Sequence, residues 1–175
     1  MDKNKIRNYQ IFSVILTFIL GTLLHFIFEW SGENTFVASF SAINESVWEH
    51  LKLLYFPMLL TLIIGYFYIG KNVPNFLCSK TIGIINSMLF TIIFFYTYSG
   101  ILGKNIDIIN ITSFFAATIL GEYVAYKLMK NNMFKCNKKL AVIILILLGM
   151  SFIIFTYSAP KLGIFKDPIT GQYGL

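Results

Sequence analysis

Five apolar runs constrain this chain more than any other feature, each close to the ~20 residues needed to cross a ~30 Å hydrocarbon layer. They cover 11–28, 51–69, 82–102, 108–126 and 140–157. None shows the two-residue alternation of a membrane β-strand. A helix satisfies its backbone within one segment, so runs of this kind become helices in lipid. The expected fold class is all-α: a polytopic membrane helix bundle of about five transmembrane helices over residues 1–159, followed by a tail over 160–175. The charge content agrees. Only 13% of the 175 residues are charged, against about a quarter in soluble domains, which leaves too little polar surface for a water-soluble globule.

Lysine and arginine orient such a bundle, because cytoplasmic loops carry them in excess. With the N-terminus inside, ten fall on the cytoplasmic side: Lys3, Lys5, Arg7, Lys71, Lys80, Lys127, Lys130, Lys135, Lys138 and Lys139. Four, Lys52, Lys104, Lys161 and Lys166, fall on the other side. The expected topology is N-terminus in and C-terminus out. The first run is too long for a signal-peptide core and is followed by no small-residue cleavage site, so it is expected to be retained. The net charge of +6 arises at span ends rather than on one basic surface. Membrane lipids are therefore the expected partners, and nucleic acid is not. This topology puts Cys78 and Cys136 in cytoplasmic loops, where a structural disulfide is not expected.

Most acidic residues fall on the outer side, and the densest polar stretch is Asn44-Glu45-Ser46-Val47-Trp48-Glu49-His50-Leu51-Lys52, just before the second run. Helix-end chemistry accounts for much of it. Ser46 and Glu49 have the spacing of a capping box. Glu49 and Lys52 have the i,i+3 spacing of a helical pair. Trp48 suits the membrane interface, and Pro57 is expected to kink the helix near Leu53.

The same stretch also supports a functional reading. His25 and Glu29 share one face at the outer end of the first span. A loop of about fifteen residues then brings that end to the level of His50. The candidate ligand-binding residues are His25, Glu29, Asn44, Glu45, Glu49 and His50, with Glu122, a carboxylate well inside the fourth run. Imidazole and carboxylate together suit a divalent metal ion, and His25, His50 and Glu49 are the candidate metal ligands. On a helix His50 points about 100° away from Glu49, which works against those two sharing an ion. There is no HExxH or other spaced ligand motif.

Glu122 is expected either to pair with Lys127 and snorkel to the surface or to form a proton or cation site within the bundle. Gly83, Asn86, Ser87, Ala116, Ala117 and Gly121 suit close packing of the third and fourth spans. The tail is rich in turn signals yet apolar at Ile164, Phe165, Ile169, Tyr173 and Leu175, so it is expected to pack on the outer face.

In the 44–52 motif, in the pattern from His25 to Trp30, and in the closing Asp167-Pro168-Ile169-Thr170-Gly171-Gln172-Tyr173-Gly174, the chain resembles a family of small bacterial membrane proteins of unknown function. The resemblance covers the whole chain in length and layout. It implies a five-span protein of the bacterial plasma membrane and implies no activity. Three functions follow as expectations. The first is binding or transport of a small solute or ion at an outward-facing polar site between the first two spans. The second is metal-assisted catalysis near the outer leaflet, and the third is a structural or partner-binding subunit.

Overall fold

The computed structural model describes residues 3–131 and 135–175. Its helices are α1 (Lys3–Trp30), a single turn α2 (Thr35–Ala38), α3 (Val47–Tyr68), α4 (Phe76–Leu102), α5 (Asp107–Asn131) and α6 (Lys138–Tyr157). Five of these six are long and apolar enough to cross a membrane. Tyr9 of α1 packs on Phe76 of α4 and bonds to Thr61 late in α3. Thr156, late in α6, lies beside Glu49 and Lys52 early in α3. The bundle thus has a basic end, where the chain starts, and a motif end, where α6 finishes.

The first helix is apolar outside and polar inside. Ile11, Ile15, Ile19, Leu23 and Phe26 are exposed, while Gln10, Ser13, Thr17 and Gly21 are buried. Lipid tails attract apolar side chains as well as a partner helix does, so small and polar residues line the helix contacts. The clearest case is the α4–α5 crossing. A Cβ on Gly83 would lie 2.6 Å from the Gly121 carbonyl oxygen, and Ser87 Oγ donates across to the Ala117 carbonyl at 2.8 Å.

The second spanning helix begins at Val47, directly after Ser46 as its N-cap. Its cap is shared differently from a capping box. Ser46 Oγ accepts the Glu49 amide at 3.3 Å. The Ser46 amide, however, is taken by Asn44 Oδ1 at 3.0 Å, which releases the Glu49 carboxylate for other partners. Trp48 packs among Phe152, Phe155 and Phe165, with ring centroids 4.7–5.5 Å away. Through Phe165 the tail is held against α3 and α6, and the Leu175 amide returns to the Thr156 carbonyl at 2.8 Å.

The expectation of two reduced cysteines is overturned. Cys78 and Cys136 are bonded, with Cα atoms 5.7 Å apart. Topology alone does not decide whether two cysteines pair. The fold places the first turns of α4 beside the segment leading into α6, so the two sulfurs meet whichever compartment lies outside. In a chain-entropy account, a bridge over 58 residues of separation stabilises by about 4 kcal/mol. Unreduced protein is expected to take up no maleimide label. Reduction should expose two labelling sites and lower the melting temperature of the wild type, and leave that of Cys78→Ser unmoved.

Candidate functional site

Among the described residues, three clusters of ionisable side chains lie in the bundle, two buried and one partly exposed, and they differ in how fully their hydrogen-bonding capacity is used. In the first, Lys52 and Glu49 lie one turn apart on α3, both buried, with Nζ 2.5 Å from Glu49 Oε2. Lys52 also donates to the carbonyls of Ala38 and Ser41 at 2.8 and 2.9 Å and to Thr156 Oγ1 at 2.7 Å. Glu49 accepts the Ile43 amide at 3.1 Å. The pair therefore fastens the 35–43 segment and α6 to the start of α3. Glu49 is thereby removed from the metal-ligand set, because its oxygens are committed to this clamp.

The second cluster joins α1, α3, α4 and α5. Lys80 Nζ lies 2.5 and 2.7 Å from the two Glu122 oxygens and 2.9 Å from Ser13 Oγ. Ser13 in turn donates to Glu122 Oε1 at 2.7 Å. Lys127, the partner proposed from sequence, instead lies over the Tyr123 ring. Lys80, one of the ten charges expected on the cytoplasmic side, is not a loop residue but lies within α4. It is wholly buried, and its partner stands 42 residues away in sequence, beyond the reach of helical spacing. A polar face on α1 opposite an intramembrane carboxylate was the available signal.

The third cluster lies at the motif end. His25, late in α1, and His50, in the first turn of α3, face one another with ring centroids 5.3 Å apart. Glu45, on the segment leading into α3, stands between them. One of its oxygens is 3.7 Å from His25 Nε2 and the other 3.4 Å from His50 Nε2. Three ligand atoms, one from each residue, all lie within 4.8 Å of one another. His50 Nδ1 is 3.0 Å from the Ser46 carbonyl. That contact suits an Nδ1–H donor, which leaves the Nε2 lone pair aimed at Glu45. The i,i+4 step from Ser46 to His50 builds this contact into the helix start.

Of the seven residues proposed from sequence, His25, Glu45 and His50 converge. Glu29 is exposed and does not line the cavity beside them. Asn44 caps Ser46 and donates to the Gly174 carbonyl at 3.4 Å, so it ties the tail to the motif. Glu49 and Glu122 belong to the two saturated pairs.

The cluster borders a cavity of about 450 Å³ between α1, α3 and α5. Phe26, Ile111, Phe114 and Phe115 form apolar walls. Asp107 and Asn110 add polar ones, and Ile169 of the tail reaches its rim. Leu53 also lines it, and Pro57 explains its carbonyl. With no N–H at Pro57, that oxygen lacks its helical partner. It lies against α1 where a Cβ on Gly21 would come within 2.6 Å.

Fold and composition together define a class: a multi-pass helical membrane protein with five helices long and apolar enough to span. Within that class, the chain belongs to a family of unknown function (DUF6512), whose model matches residues 1–175. No curated protein and no solved structure matches the chain.

Removing one member of a buried pair leaves a stranded charge and costs about 3–5 kcal/mol, whereas apolar replacement of both is often neutral. Lys52→Met is therefore expected to lower the thermal unfolding midpoint sharply in detergent. The Lys52→Met/Glu49→Leu double variant should recover much of the loss.

Proposed function

We propose that the chain is a plasma-membrane protein of a bacterium that binds a small cation, a divalent metal ion, at His25, Glu45 and His50. The adjoining cavity would receive whatever solute or water completes the ion's coordination. The observation that carries this reading is the unmet capacity of the cluster. At 3.4 and 3.7 Å neither imidazole–carboxylate contact is a hydrogen bond, although three good ligand atoms share one centre. In a tetrahedral site with metal–ligand distances of ~2.0–2.2 Å, neighbouring ligand atoms stand roughly 3.3–3.6 Å apart. Only side-chain adjustments separate the cluster from that geometry. The Ser46 carbonyl on His50 Nδ1 is the usual second contact of a metal-bound imidazole, fixing its tautomer and its aim.

We place the basic end in the cytoplasm. Lysine and arginine act on topology during insertion, before a disulfide can form. Cys78 is then shielded from soluble reductant by burial. The metal cluster accordingly faces outward.

Metal-assisted catalysis near the outer leaflet is favoured by one feature: three protein ligands leave a position open, as in catalytic zinc sites. The apolar cavity walls would suit a lipid or an apolar peptide.

Protein purified without chelator into nanodiscs is expected to bind Zn²⁺ with one-to-one stoichiometry by calorimetry. X-ray absorption should show two imidazoles in the first shell. His25→Ala, Glu45→Gln and His50→Ala should each weaken binding at least ~10-fold by loss of a ligand, and Ser46→Ala should not, since its carbonyl remains. Glu29→Gln should bind as wild type. Absence of stoichiometric metal, or equal affinity in all variants, would remove the proposal.

A further inference from the structure

Ser13, Thr17, Gly21 and His25 recur every fourth residue on α1 and so form one column along that helix. At one end of the column Ser13 hydrogen-bonds Glu122 of the Lys80 pair. At the other, Gly21 and His25 line the motif-end cavity. From Ser13 to Gly21 is only ~12 Å of helix. The stretch between holds Thr17, wholly buried, whose hydroxyl has no hydrogen-bond partner. Below Ser13, Gln10 donates to the Glu122 backbone carbonyl at 3.0 Å, but its side-chain oxygen is buried and unpartnered. A groove of about 260 Å³ at the basic end, between α1 and α5, reaches both Gln10 and Glu122, with Arg7 at its rim.

A buried polar atom without a partner carries a desolvation cost that an apolar side chain of the same shape would avoid. Two such atoms flank an intramembrane ion pair, on a line that joins a groove at one end to a cavity at the other. Ionisable groups within spans commonly mark ion or proton routes. We propose that this column is a proton path across the bundle, with Glu122 as its central carrier. A proton from the groove binds a Glu122 oxygen, forming the carboxylic acid, while Lys80 keeps its three protons. Ser13 then takes that proton on its hydroxyl oxygen as it releases its own to a water molecule between it and Thr17; that water releases a proton to Thr17, and Thr17 releases its own hydroxyl proton to water in the cavity. Glu122 is again a carboxylate beside Lys80, each hydroxyl keeps one proton, and one proton has moved toward the cavity. Phe114, which lies against Gly21, is the barrier at the cavity side.

The path stands on the column and the ion pair and does not depend on metal at the histidines. Its test uses full-length protein in vesicles loaded with a pH-sensitive dye, under a potassium diffusion potential set with valinomycin. Wild-type vesicles are expected to acidify faster than protein-free ones. Thr17→Val should fall to the protein-free rate while unfolding no more easily than wild type, because the lost hydroxyl had no partner. Glu122→Gln should fall likewise. Wild-type flux equal to that of empty vesicles, or undiminished flux in Thr17→Val, would overturn the proposal. Zinc calorimetry on Thr17→Val separates the two ideas, since flux can vanish there while metal binding persists.

Discussion

A lysine inside a lipid-embedded bundle must find all its partners within the protein, because lipid tails accept no hydrogen bonds and water is excluded. Lys52 and Lys80 are both wholly buried, and each satisfies this demand by gathering separate elements. Lys52 draws together α3, the 35–43 segment and α6. Lys80 meets Glu122 of α5, Ser13 of α1 and Thr61 of α3. Such pairs add little net stability against an apolar core of equal volume. Their effect is directional. Apolar helix faces in lipid gain little by choosing one register over another, whereas a buried ammonium tolerates only the register that presents its oxygens.

With register fixed at both ends of α3, the shape of the space between helices follows from a few small residues. Gly21 lets the Leu53 carbonyl, freed by Pro57, approach α1. The cavity sits beside that contact, bounded on one side by Phe114 and on the other by the histidines. The pocket is thus a product of the two clamps: one holds the motif segment that carries Glu45, and the other holds α1 at the depth that places His25 opposite His50.

The sequence carried the architecture well, because solvent decides it. Five apolar runs in lipid have one solution for their backbones, and the helices overrun those runs mainly at the basic end, where Lys3 and Asn131 mark their limits. Local chemistry was also legible: the Ser46 cap and the Glu49–Lys52 spacing both lie within one helical turn. What could not be read was pairing between distant segments. Nothing in the numbers 80 and 122, or 78 and 136, joins them before the helices are packed. Glu49 and His50 diverge by about 100° on the helix, which the spacing already shows to work against a shared ion, and Glu45, just outside the helix, is the carboxylate that stands between the two histidines. The unrecognised signal was the four-residue column on α1, polar where a lipid-facing helix should be apolar.

The contrast among the three clusters is what separates ion pairs closed on themselves from a cluster open to a ligand. All three combine a carboxylate with a basic nitrogen in a mostly apolar bundle, so composition alone ranks them together. In the two lysine pairs the donors and carboxylate oxygens meet at hydrogen-bonding distance, and a ligand would have to break several such bonds to enter. The histidine cluster has converged without closing: its three ligand atoms share a centre, its contacts are too long to be hydrogen bonds, and it faces a cavity. Folding that brings partly exposed groups together without hydrogen-bonding them to one another gains little from them as scaffold. A cation at that centre would supply the missing interaction, and the orientation of His50 by the Ser46 carbonyl leaves its lone pair directed there before any ion arrives.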